Sequence, residues 1–267
     1  MNKRVHFICT LAIALSLLLT NTGGYAQNKD FTPSSGQPGK DVVWVPTPQA
    51  LVDTMLGIAK VTSADYVIDL GSGDGRLVIT AAKLGANALG FEYNPDMVAL
   101  ARRSANEEGV SAKAKFEEAD IFESDFSKAT VITLFLLPDL NLRLRPTLLN
   151  MKPGTRIVSN SFTMNEWEPD QTAHISDPVS WTTAYLWIIP AKVDGIWKFN
   201  DGQVKFAQTF QFITGTLTMG NKEIELTGKL NGEKISFNAG GAEYTGTVNG
   251  NTMSGTRTGG GSWKANR

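Results

Sequence analysis

The stretch Val67-Ile68-Asp69-Leu70-Gly71-Ser72-Gly73-Asp74-Gly75-Arg76 constrains this chain more than any other part of it. A short apolar run delivers an acid into a turn with glycine at alternate positions, and Leu77-Val78-Ile79 with Ala81-Ala82 then reads as a helix. Glycines in such a turn adopt positive φ and let the backbone lie directly against a ligand. Strand, glycine turn and helix in this order open a βαβ unit, so the chain is expected to fold as an α/β protein with a parallel sheet. The spacing narrows the ligand. A dinucleotide site needs G-x-G-x-x-G over the pyrophosphate, whereas Arg76 stands here where the last glycine belongs, which disfavours a phosphate cradle.

A second element supports the same unit. Ala88-Leu89-Gly90-Phe91-Glu92 reads as a strand ending in an acid, and Asn94-Pro95 starts the next helix. Glu92 follows Asp69 by 23 residues, the span of one βαβ unit, and an acid at this strand end faces the ribose of a nucleoside, where it accepts from both hydroxyls. The glycine turn with Glu92 resembles motif I of the class I S-adenosylmethionine (SAM) methyltransferases. That resemblance implies a Rossmann-like sheet and SAM as cofactor, with Asp69, Gly71, Ser72, Gly73 and Gly75 around its amino-acid part and Glu92 on its ribose. Phe116-Glu117-Glu118-Ala119-Asp120-Ile121 is similar to the family's third-strand end, which places Asp120 and Ile121 at the adenine. Asp120 is equally suited to capping the turn before Phe122. Upstream, Pro46-Thr47-Pro48 resembles the segment that precedes motif I in the group containing the ATP synthase c-subunit lysine methyltransferase, where Thr47 would help cover the cofactor.

The continuous apolar run of residues 130–136 suits a central parallel strand. It ends in Leu137-Pro138-Asp139, not in the Asn or Asp followed by Pro-Pro-aromatic found in many nucleic-acid amino methyltransferases. A leucine-bearing helix, Lys152-Pro153-Gly154-Thr155 and a fifth strand over 156–159 again resemble the class I order. Methyl transfer from a sulfonium is an in-line displacement that demands positioning and desolvation, and a base only when the acceptor is protonated. Asp139, Asn160 and Glu166 are the candidates to orient an acceptor or steer a proton. Phe162 and Trp167 are the candidates to pack against it.

A formal net charge of −1 offers no basic footprint, so nucleic acid is not expected as a partner, and the acceptor is expected to be a protein or a small molecule. His6, His174 and Cys9 are too few and too scattered for a zinc site, so no metal is expected. Lys3 and Arg4 precede an apolar run to Leu19, and Gly24-Tyr25-Ala26 supplies small residues before Gln27. Residues 1–26 therefore read as a secretory signal, 27–40 as a flexible leader, and the protein as exported to the periplasm without a membrane span after cleavage. Retention in the cytosol, where SAM is made, is the alternative.

All 11 prolines lie at or before Pro190, and more than half of the 26 glycines follow it. The methyltransferase domain is thus expected over 41–190 and an antiparallel all-β meander or small barrel over 193–267. Its runs include 196–199, 206–212, 224–227, 234–237, 244–248 and 262–265, with Asp201-Gly202, Asn231-Gly232 and Asn249-Gly250 as hairpin turns. Such a module would present an exposed face and strand edges. A rival reading is an exported non-catalytic protein that binds SAM or another nucleoside and acts through this β domain.

Overall fold

The computed structural model describes residues 31–176, 181–199 and 202–267. The signal segment 1–26, the first residues of the leader and the Asp201 half of one expected turn lie outside the described residues. Among the described residues a seven-stranded sheet runs in the order β3-β2-β1-β4-β5-β7-β6. Its strands are β1 (Tyr66–Leu70), β2 (Asn87–Glu92), β3 (Ala114–Glu118), β4 (Val131–Leu134), β5 (Arg156–Asn160), β6 (Gln171–His174) and β7 (Thr183–Ile188). The first five pair in parallel, while β7 runs antiparallel to β5 and β6 antiparallel to β7. The helices are α1 (Gln49–Ile58), α2 (Arg76–Lys83), α3 (Pro95–Glu107) and α4 (Pro138–Leu148).

Alternation along the strands sends side chains to two cores. Val67, Ala88, Val131 and Val158 pack under α1, α2 and α3, and Ile68, Leu89, Ile132 and Ile157 pack under α4. Helix α3 begins where the sequence marks it: the Asn94 side chain accepts from the amides of Asp96 and Met97, and Pro95 takes the first helical position. The neighbours of β1 are β2 on one side and β4 on the other, so the strand order reverses there, and the crevice beyond the carboxyl ends of β1 and β4 is where such a sheet receives a ligand.

The C-terminal region is a closed barrel of eight antiparallel strands among the described residues. These are β8 (Gly195–Phe199), β9 (Gly202–Thr209), β10 (Phe212–Met219), β11 (Lys222–Asn231), β12 (Lys234–Ala239), β13 (Ala242–Asn249), β14 (Thr252–Arg257) and β15 (Ser262–Asn266). Pairing of β15 with β8 at Ala265–Phe199 and Asn266–Lys198 seals it, so the strand edges expected from a meander are absent. Trp197, Phe206, Phe237 and Trp263 fill its interior, and Phe199 stacks on Trp263 across the seam with ring centroids 5.5 Å apart.

Three further differences from the sequence reading are local. Run 206–212 is not one strand but two, split by a turn at Phe210-Gln211 that carries neither glycine nor asparagine. Two turns are displaced by one residue, with Gly232-Glu233 and Gly250-Asn251 as their central pairs, so that Asn231 and Asn249 end the preceding strands. The leader is ordered from Phe31 onward. The amide of Gly36 donates to Trp44 and that of Trp44 to Gln37, and Pro38 bridges Val43, forming a short hairpin against the carboxyl end of the sheet. No helix among the described residues is long and apolar enough to cross a membrane.

Candidate functional site

A cavity of about 530 Å³ opens at the β1/β4 reversal. The glycine turn forms its floor, with φ of 85° at Gly71, 54° at Gly73 and 84° at Gly75. A Cβ on Gly73 would come within 2.6 Å of the Trp44 indole nitrogen, which belongs to the opposite wall. Gly75 has another role. It does not line the cavity, and a Cβ there would strike Phe116 at 2.7 Å and Ala101 at 2.8 Å, so its glycine lets α2 pack close to β3 and α3.

Three acids stand at the ends of successive strands. Asp69 of β1 is buried, and the Thr133 hydroxyl donates to it at 2.6 Å. Burial pushes its carboxyl up to about 7, against the opposing Thr133 bond and with added repulsion from Glu92 and Asp74. Glu92 of β2 accepts from the amide of Gly73 at 2.8 Å with one oxygen and from that of Asn94 at 2.9 Å with the other. Each oxygen keeps a lone pair for a ligand hydroxyl. Past β3, Asp120 makes the cap weighed for it: one oxygen accepts from the Phe122 amide at 2.9 Å, while the other, beside Ile121 on the cavity wall, pairs with Lys40. The Lys40 ammonium and the Phe122 amide hold the Asp120 carboxyl below the usual range.

The outer wall is the hairpin over 36–44, whose residues up to Lys40 belong to the leader expected to be flexible. Gln37, Lys40 and Trp44 face the glycine turn and the strand ends, and the Lys40 ammonium also sits 4.9 Å from the Tyr93 ring centroid. Arg76, the residue that breaks the dinucleotide spacing, ties this wall down: it chelates Asp74 at 3.0 and 2.6 Å and donates to the Thr47 carbonyl at 2.6 Å. Thr47 lines the cavity, and its hydroxyl accepts from Asn160 at 3.2 Å. Asn160 is fully buried, accepts from the Ser161 hydroxyl at 2.7 Å and does not line the cavity. It is a strut between β5 and residue 47, not a group facing an acceptor.

The other acceptor-side candidates separate. Asp139 is exposed on the first turn of α4 and stands outside the cavity wall. Glu166 pairs on the surface with Arg145 at 2.9 Å, which lowers its carboxyl below the usual range. Trp167 is fully buried between Trp187 and Phe210 of the barrel, so it packs a domain contact instead of a substrate. Phe162 alone of the five reaches the cavity, where it meets two rings that sequence reasoning missed. Phe135 and Trp181 lie with Phe162 in a triangle of centroid distances 6.2, 5.7 and 5.3 Å. Phe135 had a signal, since it closes the apolar run of the fourth strand one residue past β4. Trp181 had none, because it follows β6 in a connection with no pattern. Leu136, Leu137 and Leu140 complete this end, and among the described residues the acids lining the cavity are Asp41 of the hairpin, Asp69, Asp74 of the glycine turn, Glu92 and Asp120, none from the ends of β4 and β5.

Ser72 also lines the cavity, but its hydroxyl is buried under the turn against Gly90, without a hydrogen-bond partner among the described residues. A glycine floor that no side chain can fill, a carboxylate with free lone pairs at β2 and an acid beyond β3 fit an adenosyl amino acid better than a phosphate ester, because the cavity presents acids where a phosphate needs donors.

The ANTKMT methyltransferase domain model matches residues 69–171. A protein-lysine N-methyltransferase of Saccharolobus islandicus is 42% identical over 151 residues, which are 55% of this chain and 94% of that protein. The ATP synthase c-subunit lysine N-methyltransferase of Rattus norvegicus is 37% identical over 40% of this chain and 50% of its own length, so the chain spans about half of that relative. Among solved structures, an RNA methyltransferase from Salinibacter ruber in complex with S-adenosyl-L-homocysteine superposes with a TM-score of 0.52 at 46% identity, over 56% of this chain and 96% of that one.

Proposed function

Because the chain belongs to the family of SAM-dependent methyltransferases that includes the protein-lysine N-methyltransferases, we propose that its acceptor is the side-chain amine of a lysine in a protein. Bound in the cavity, SAM supplies an electrophilic methyl on a sulfonium. The residues of this chain do the rest. Asp69, Ser72 and the amides of the glycine turn hold the amino-acid end, Glu92 the ribose, and Asp120 with Ile121 the base. The remaining wall is the triangle of Phe135, Phe162 and Trp181, and this triangle carries the reading.

An apolar mouth favours a neutral amine, since desolvation lowers the pKa of an ammonium. The lysine therefore leaves its proton to solvent as it enters, which is consistent with the absence, among the described residues, of a carboxylate from the β4 and β5 ends of the cavity wall. During transfer the positive charge passes from sulfur to nitrogen. Ring faces attract a cation, so the aromatic triangle stabilises the transition state more than the neutral amine that precedes it. Three rings in contact also match the alkyl stem of lysine.

The decisive experiment supplies methyl-labelled SAM and a bacterial extract separated into protein and RNA, then hydrolyses each fraction. Label is expected in methylated lysine. Label in RNA nucleosides, the acceptor class named for the Salinibacter ruber protein, would overturn the assignment. Lys3, Arg4, the apolar run after them and the small residues to Ala26 also motivate export with cleavage after Ala26. Fractionation with intact-mass measurement tests this, and a full-length cytosolic product would refute it.

A further inference from the structure

Among the contacts between the barrel and the methyltransferase domain, one is made by a turn whose sequence is wrong for a turn. Four of the described two-residue hairpin turns in the barrel place glycine at the first central position, with φ of 58° at Gly220, 60° at Gly232, 58° at Gly240 and 58° at Gly250. The turn between β9 and β10 places Phe210 there, at φ 53°. A bulky L-residue in the left-handed region is strained and persists only where its surroundings hold it.

Those surroundings belong to the loop that follows β5. The Phe210 ring stacks on Trp167 at 5.8 Å with an interplanar angle of 15°, and the Arg145 guanidinium lies 5.6 Å from the same ring. Gln211 is fully buried and donates to the carbonyl of Glu168 at 2.8 Å. Arg145 in turn donates to the Met164 carbonyl at 2.9 Å. The loop is itself strained at Ser161 and Asn165, with φ of 59° and 57°, and it carries Phe162 into the cavity.

We infer that Phe210 and Gln211 are positioning residues for methyl transfer: the barrel plugs the loop after β5 and so fixes where Phe162 stands in the acceptor wall. The glycine expected at this turn has been replaced by the side chain that reaches the neighbouring domain. The strain is local and the gain is at the site. This rests on the acceptor end assigned above, and it gives the barrel a part in the reaction without any chemistry of its own.

The test is Phe210→Gly, because a turn residue and a positioning residue respond to it with opposite signs. Glycine suits the turn, so the barrel is expected to fold and melt as before, and calorimetric SAM affinity is expected to stay within about twofold. The apparent kcat for transfer to the labelled protein fraction is expected to fall about tenfold. Hydrogen exchange is expected to rise at the amides of 161–168 and not in the glycine turn. Phe210→Tyr, which keeps the stack, restores both. Unchanged kcat and unchanged exchange in Phe210→Gly, or a drop that Phe210→Tyr does not rescue, would overturn the inference. If the parent protein labels no protein at all, the acceptor assignment fails, and the exchange experiment still decides whether the barrel braces the loop.

Discussion

At the scale of single residues, Glu92 ties the two chemical tasks of the site together, because it holds the glycine turn through the Gly73 amide and faces the cavity. Glu92→Gln keeps one acceptor and the fold, and it is expected to weaken SAM by about 1.5–3 kcal/mol, the scale of a hydrogen bond to a charged group. Calorimetry showing unchanged affinity would remove Glu92 from the cofactor site. Asp69 makes a prediction about pH. Its carboxyl is raised from 3.8 to about 7 by burial, so between these values the unfolded chain is ionised there while the folded protein keeps the proton. Stability from this group is complete below 3.8 and falls as pH rises toward 7, by up to about 4 kcal/mol. Asp69→Asn keeps an acceptor for Thr133 and should gain on the parent across that window in denaturant titrations. A constant difference would contradict the raised value. These two acids were legible in the sequence because each ends a strand next to a turn. Asn160, Glu166 and Trp167 were legible only as residues near the fifth strand, and their actual roles depend on partners far away in the chain: Thr47 for one and Phe210 for another. Glu166 is held by Arg145 of α4, an ordinary surface pair that spacing does not announce.

At the scale of elements, the parallel strands and their helices followed from apolar runs, caps and glycine turns, since local pattern and tertiary demand agree there. The pattern failed in two places. The hairpin over 36–44 has too few apolar residues and too many prolines and glycines to read as structure, and it is ordered by docking on the cavity. Its hold is polar and partly exposed, chiefly Lys40 on Asp120 and on the Tyr93 ring. Lys40→Ala is therefore expected to speed release of S-adenosylhomocysteine in stopped-flow displacement at low ionic strength, and the difference from the parent should shrink in high salt. Equal release rates at low salt would show that Lys40 does not secure the wall. The second failure, the β9–β10 turn, arose because Phe210 and Gln211 satisfy a neighbouring domain at the expense of the turn's own preferences.

At the scale of the whole molecule, the Saccharolobus islandicus relative is matched over 94% of its length by only 55% of this chain. In this chain the sheet has come to lean on the barrel. Trp167 is fully covered with Phe210 stacked on it, Lys229 pairs with Asp170 at 2.9 Å, and the amide of Ala191 donates to Gly232. A chain ending near Ala191 is expected to bind SAM within a few-fold of the parent while melting at lower temperature, because Trp167 and its neighbours become wet. Loss of SAM binding by the soluble truncated protein would place the barrel within the cofactor site itself. The seam of the barrel bears on how the protein comes into being. Phe199 and Lys198 at the beginning of the domain pair with Ala265 and Asn266 at its far end, and a contact between such distant residues forms late, after the intervening loop has been ordered. The sheet precedes the barrel in the chain and its strands pair without it, whereas the barrel must wait for β15. A prematurely ended chain would accordingly hold the methyl donor while its acceptor wall stayed slack, and transfer would reach its full rate only when the last strand had closed the ring.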